Sequence, residues 1–137
     1  MNFFLLLGTL HSFVRWIIVL VAIVAAIKFA LGWLSKSRVQ KVDRALMSAF
    51  SGLVDLQVLL GLIILIGQGL LIAGVGFPLN RIEHMITMIV AAIVAHVPMR
   101  WRKSDAPTAL RSNLLVIIAV LVLIVLGVAS LGGNRWF

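Results

Sequence analysis

Residues 3–34, FFLLLGTLHSFVRWIIVLVAIVAAIKFALGWL, decide how the chain is read. A membrane-spanning helix needs about 20 predominantly apolar residues, and this stretch exceeds that while carrying only His11, Arg15 and Lys28 as ionisable groups. It has no basic leader and no small-residue cleavage site, so it reads as a retained first helix rather than a signal peptide. The excess length is absorbed by tilt or by an interfacial first turn.

Three further apolar runs follow, and the spans are expected at about 5–34, 46–75, 81–99 and 114–131 of a single domain covering residues 1–137. Over the whole chain 63% of residues are hydrophobic and 12% charged, with a mean hydropathy of +1.19. That composition excludes an ordinary soluble domain. There is no cysteine, which removes disulfides, thiolate metal sites and iron–sulfur clusters. The net charge of +8 points to topology rather than to nucleic acid, because the basic residues sit between the apolar runs. SKSRVQKVDR joins the first two runs and RWRKSDAPTALRSN the last two, whereas GVGFPLN in the middle is uncharged. Basic loops stay in the cytoplasm. The expected fold is therefore all-α: an integral membrane, up-down-up-down four-helix bundle with the N- and C-termini outside. Pro98 is expected to loosen the end of the third helix.

Ionisable residues within membrane spans are functional candidates by default. They are His11, Arg15, Lys28, Asp55, Glu83, His84 and His96, with Gln57 and Gln68 as neutral additions. The fourth span has nothing comparable and reads as a packing or lipid-facing helix. Lys28 is expected to snorkel to the cytoplasmic headgroups. Counted back from Lys28, His11 lies 17 residues up the first helix, and His84 lies 16 residues above Arg100 on the third. At a rise of 1.5 Å per residue the two differ in depth by only about 2 Å. In a square bundle these helices are diagonal, leaving a gap of roughly 12–14 Å between their axes, wide enough for a flat macrocycle with an imidazole on each face.

Two neutral imidazoles above and below an iron, sheathed by low-polarity walls, are what bis-histidine haem b requires. One haem b is expected, with His11 and His84 as iron ligands. Gly61, Gly67 and Gly69 could let the ring approach the backbone, and Arg81 and Arg135 are candidates to meet the propionates. A lone intramembrane histidine is equally well an interhelical hydrogen-bonding residue. Arg15 and Asp55 fall within about 3 Å of one depth and are expected to form an ion pair, structural or tuning the cofactor. Glu83 is expected either to orient an imidazole of another helix, such as that of His11, or to sit as an interfacial charge near Arg81. His96, 12 residues below His84, cannot share its iron; a second cofactor there is not expected. Met85 and Met88 are expected to pack.

LHSFVRW, DLQVLLGL and EHMITMIVAAIVAH resemble a family of small bacterial four-helix membrane proteins labelled cytochrome b-like. His11, Ser12, Arg15, Trp16, Glu83, His84 and His96 match that pattern, which implies haem. The second span of the family carries a histidine before Leu-Gln where this chain has Asp55, so a ligand from that helix is not implied. The expected role is that of an electron-transfer subunit in the bacterial cytoplasmic (inner) membrane, without catalysis of its own, working with a larger membrane complex or a quinol-linked redox partner. The alternative is a cofactor-free or pigment-binding accessory subunit of a respiratory or photosynthetic complex. A transporter is disfavoured because no broken helix is visible.

Overall fold

A computed structural model describes residues 2–133. It contains four α-helices, α1 (Phe3–Leu34), α2 (Lys41–Leu71), α3 (Leu79–His96) and α4 (Ala106–Ser130), with a 3-10 turn over Val97–Trp101. No strand occurs among the described residues. All four helices are long and apolar enough to cross a membrane.

The helix ends follow local chemistry. Asn2 caps α1 by accepting the Phe4 N–H. At the start of α2 the Gln40 N–H donates to Asp43 Oδ2 at 2.7 Å, so the helix begins at Lys41, before its apolar run. It ends at Leu71 rather than at Val75, because the following turn carries Gly74 and Gly76 at φ of +80° and +53°, where a side chain would be strained. Pro98 cannot donate a helical hydrogen bond, and the chain tightens there into the 3-10 turn. Asp105 caps α4 through the Thr108 N–H, and Pro107 fits its first turn. The helix therefore starts eight residues before the Leu114 expected from hydropathy alone.

Helix α1 packs against α2 and α4, and α3 packs against the same two. Side-chain pairs fix the register. Phe4 meets Gly67 at one end of the α1–α2 seam and Lys28 meets Asp43 at the other. Arg81 meets Gln68 and His96 meets Asp55 along α2–α3. His84 meets Gly127 and Trp101 meets Asn113 along α3–α4. The core contains Ile18, Phe29, Phe50, Leu110, Ile117 and Val120, all fully buried. Ala22, Ala25, Ala91 and Ala95 are also buried, and their small side chains let the helices approach closely.

The fourth helix is the most enclosed of the four, with 39% of its most apolar window buried against 17–28% in the others. It packs through Ile117, Val120 and Ile124 and leaves Leu115, Val122, Val125 and Leu126 exposed. It contributes a buried polar residue, Asn113, which accepts the Trp101 indole N–H at 3.2 Å.

Candidate functional site

The site lies between α1 and α3, flanked by one face each of α2 and α4. On α2, Gln57 and Gly61 are one turn apart and share a face. Buried Gln57 donates from Nε2 to the His11 carbonyl at 2.9 Å. A Cβ on Gly61 would stand 3.2 Å from His11 Cε1 and 3.1 Å from Met85 Cε, so the bare backbone there makes room for the imidazole. His11 is seated by this face. Its Nδ1 is buried and has no hydrogen-bond partner among the described residues.

His84 is held from the opposite side. Its Nδ1 lies 2.6 Å from the Gly127 carbonyl oxygen. A carbonyl can only accept, so the imidazole proton sits on Nδ1 and the lone pair is left on Nε2. The same carbonyl takes the Ser130 hydroxyl at 2.8 Å. A Cβ on Gly127 would overlap Met88 Cε and lie 3.5 Å from His84 Nδ1. Each histidine is thus fixed beside a glycine of a flanking helix, and each glycine is also touched by a flexible methionine, Met85 or Met88.

The two rings approach in an edge-to-face arrangement, with a centroid separation of 6.4 Å and planes inclined by 70°. Two metal–imidazole bonds of about 2 Å, with the distance from each nitrogen to its ring centre added, span roughly 6.3 Å. By separation, His11 and His84 are the residues that would hold an iron between them. A bare-ion site is a poorer match, since no group of three or more His, Asp or Glu side chains converges among the described residues.

Arg15 is buried one turn from His11 on α1. Its Nη2 donates to Ser12 Oγ at 3.1 Å, and its guanidinium lies 5.9 Å from the Trp16 ring centre. The expected Arg15–Asp55 pair does not form: the Asp55 carboxylate binds His96 Nε2 at 2.9 Å. The depths agree but the faces do not. Gln57 turns toward α1, and Asp55, two residues away, points about 200° around the helix, toward α3. His96 thereby has a carboxylate partner on α2.

Other expectations are also revised. Lys28 binds Asp43 at 2.8 Å and Gln40 Oε1 at 3.0 Å. Glu83 is exposed, and its carboxylate has no partner among the described residues, so it does not orient His11. Gly67 and Gly69 face the Phe4 and Phe77 rings respectively, leaving Gly61 alone of the three beside an imidazole. Arg81 is half-buried in the first turn of α3 and donates from Nη1 to Gln68 Oε1 at 2.8 Å. Arg135 lies outside the described residues. Sequence reasoning missed the seat made by Gln57 and the carbonyl of Gly127. The first was visible as a buried-type polar residue one turn from a glycine; the second had no side-chain signal at all.

Comparison of the chain with protein-family models, with curated proteins and with solved structures finds no match.

Proposed function

We propose that the chain is a membrane b-type cytochrome-like electron-transfer subunit. In this reading it is an up-down-up-down bundle of four transmembrane helices, with basic loops cytoplasmic and termini outside, in the bacterial inner membrane. One haem b is held between His11 of α1 and His84 of α3. The imidazole pair is the observation that carries the reading: two rings on diagonal helices, 6.4 Å apart, one with its tautomer set so that Nε2 is available. The likeness to small cytochrome b-like membrane proteins supports the same assignment.

When bound, haem b supplies one-electron exchange. The chain's own residues do the rest. Gln57 and Gly61 seat His11, and the Gly127 carbonyl orients His84 and raises its basicity. Arg15 keeps a positive charge one turn from His11, which favours the reduced state of a nearby redox centre. Arg81 stands at the outer end of the site, where an anionic substituent could share it with Gln68. The surrounding apolar side chains exclude water.

One observation favours a second reading, a cofactor-free accessory subunit. A centroid separation of 6.4 Å also falls within the range of a direct edge-to-face ring contact, about 4.5–7 Å. A reduced-minus-oxidised spectrum of the protein purified from its membrane separates the two. A sharp α-band that disappears in both His11→Ala and His84→Ala supports haem. Colourless, folded protein sinks that assignment and favours the scaffold, and a red pigment band favours a chlorophyll-type ligand.

A further inference from the structure

A cavity of about 600 Å³ opens between α2, the 3-10 turn and α4, at the end of the molecule that carries the basic loops. It is independent of the histidine pair. Its α2 wall is a polar stripe in an otherwise apolar helix: Arg44, Ser48, Ser51 and Asp55 repeat at intervals of three and four residues and so share one face. Arg102 lines the opposite side. The Trp101–Asn113 hydrogen bond holds the floor in place.

Asp55 on the cavity wall is engaged by His96. Asp43 is taken by Lys28 and by its own helix start, and Asp105 caps α4. Glu83, the fourth and last acidic residue of the chain, is on the first turns of α3 at the far end. Neither the Arg44 nor the Arg102 guanidinium has a hydrogen-bond or ion-pair partner among the described residues. Two guanidiniums line a polar hollow whose single carboxylate, Asp55, is engaged by His96; the lining keeps more cationic than anionic side chains, which calls for an anion from outside. Guanidinium forks match the oxygens of a phosphate, and the membrane–water interface supplies phosphates in quantity.

We propose that this cavity binds a phosphate ester group, held by Arg44 and Arg102 with Ser48 donating to its oxygens. Two sources carry that chemistry: the headgroup of an anionic phospholipid and a soluble phosphate monoester.

The test is native mass spectrometry of the full chain, delipidated in detergent and titrated with phosphatidylglycerol. Binding of one lipid per chain is expected. Arg44→Gln/Arg102→Gln should weaken it at least tenfold, and Arg44→Lys/Arg102→Lys should fall between, since lysine keeps the charge but loses the fork. Lys36→Gln/Lys41→Gln removes the same charge from the same end, outside the cavity, and should bind as the unaltered chain does. Millimolar glycerol phosphate then divides the sources: binding of the ester with displacement of the lipid assigns the site to the phosphate group alone, and lipid binding without displacement assigns it to the phospholipid. Circular dichroism and gel filtration confirm that each variant is folded. Equal weakening by the Lys36/Lys41 control, unchanged binding in Arg44→Gln/Arg102→Gln, or no binding of either probe overturns the proposal.

Discussion

The ring centres of His11 and His84 lie 6.4 Å apart, although their helices, α1 and α3, pack chiefly on α2 and α4 rather than on each other. Ligation makes a specific prediction beyond loss of colour. Replacing either imidazole by alanine leaves a hole of imidazole size beside a glycine, so free imidazole at about 10 mM should restore the haem α-band in His11→Ala and in His84→Ala. A merely structural role for the histidines predicts no spectral recovery, whatever the effect on folding.

Gly127 gives His84 its carbonyl and leaves room for Met88. Gly127→Ala should destabilise the protein by about 1–3 kcal/mol through overpacking. The overlapping atom is the end of a flexible side chain, so Gly127→Ala/Met88→Val should recover most of that loss. Thermal unfolding in detergent followed by circular dichroism reads both, and a double variant no better than the single one would place the strain at His84 instead.

Gly67 and Gly52 should behave oppositely on the same helix. A Cβ on Gly67 would stand 2.5 Å from the Phe4 ring, whereas nothing lies within 4 Å of one on Gly52. Gly52→Ala should raise stability by up to about 1 kcal/mol through helix propensity. Gly67→Ala should lower it and be rescued by Phe4→Leu. Equal effects of the two alanines would mean that the α1–α2 seam is looser than described.

A double-mutant cycle should couple Asp55 to His96 and leave Asp55 uncoupled from Arg15. The Asp55 and His96 side chains are 51% and 43% exposed, so the coupling is expected at no more than about 1 kcal/mol. A coupling of several kcal/mol between Asp55 and Arg15 would show that the carboxylate faces α1.

Asp105 is held below the ordinary carboxylate range by its hydrogen bonds from Thr108. A group whose pKa is lowered on folding contributes stability above its unfolded value, near 4, and loses it as the pH falls through the lower folded value. The protection of the Thr108 and Ala109 amides relative to their intrinsic exchange rates should therefore fall as the pH drops below about 4. Asp105→Asn should cap the helix without that pH dependence; exchange in the native chain that follows the variant at every pH would rule out the ionised cap.

The four apolar helices could be read from hydropathy because lipid demands long apolar runs. Their polar first turns could not: Lys41–Arg44 and Ala106–Asn113 are helical through capping at Asp43 and Asp105, signals that a hydropathy window averages away. Depth along a helix was also legible, because 1.5 Å per residue is fixed by the backbone. The count that set Arg15 level with Asp55 from Lys28 and Arg44 is reinforced by the Lys28–Asp43 pair. Azimuth was not legible. Which face of α2 meets α1 is settled by the seating of Gln57 on the His11 carbonyl, and that choice turns Asp55 toward His96. The Gly127 contact was beyond reach for a different reason: a backbone carbonyl is present at every position, and only tertiary packing shows which one a histidine uses.

The support for His84 comes from a helix that lies some forty residues further along the chain. Chains emerge from the ribosome N-terminus first, so both imidazoles are synthesised before Gly127 exists. A nascent chain stalled after α3 would carry both rings but nothing to fix the tautomer of the second. On this geometry the seat of the second ring is completed only by α4, and a product truncated before it would leave that imidazole without its carbonyl partner.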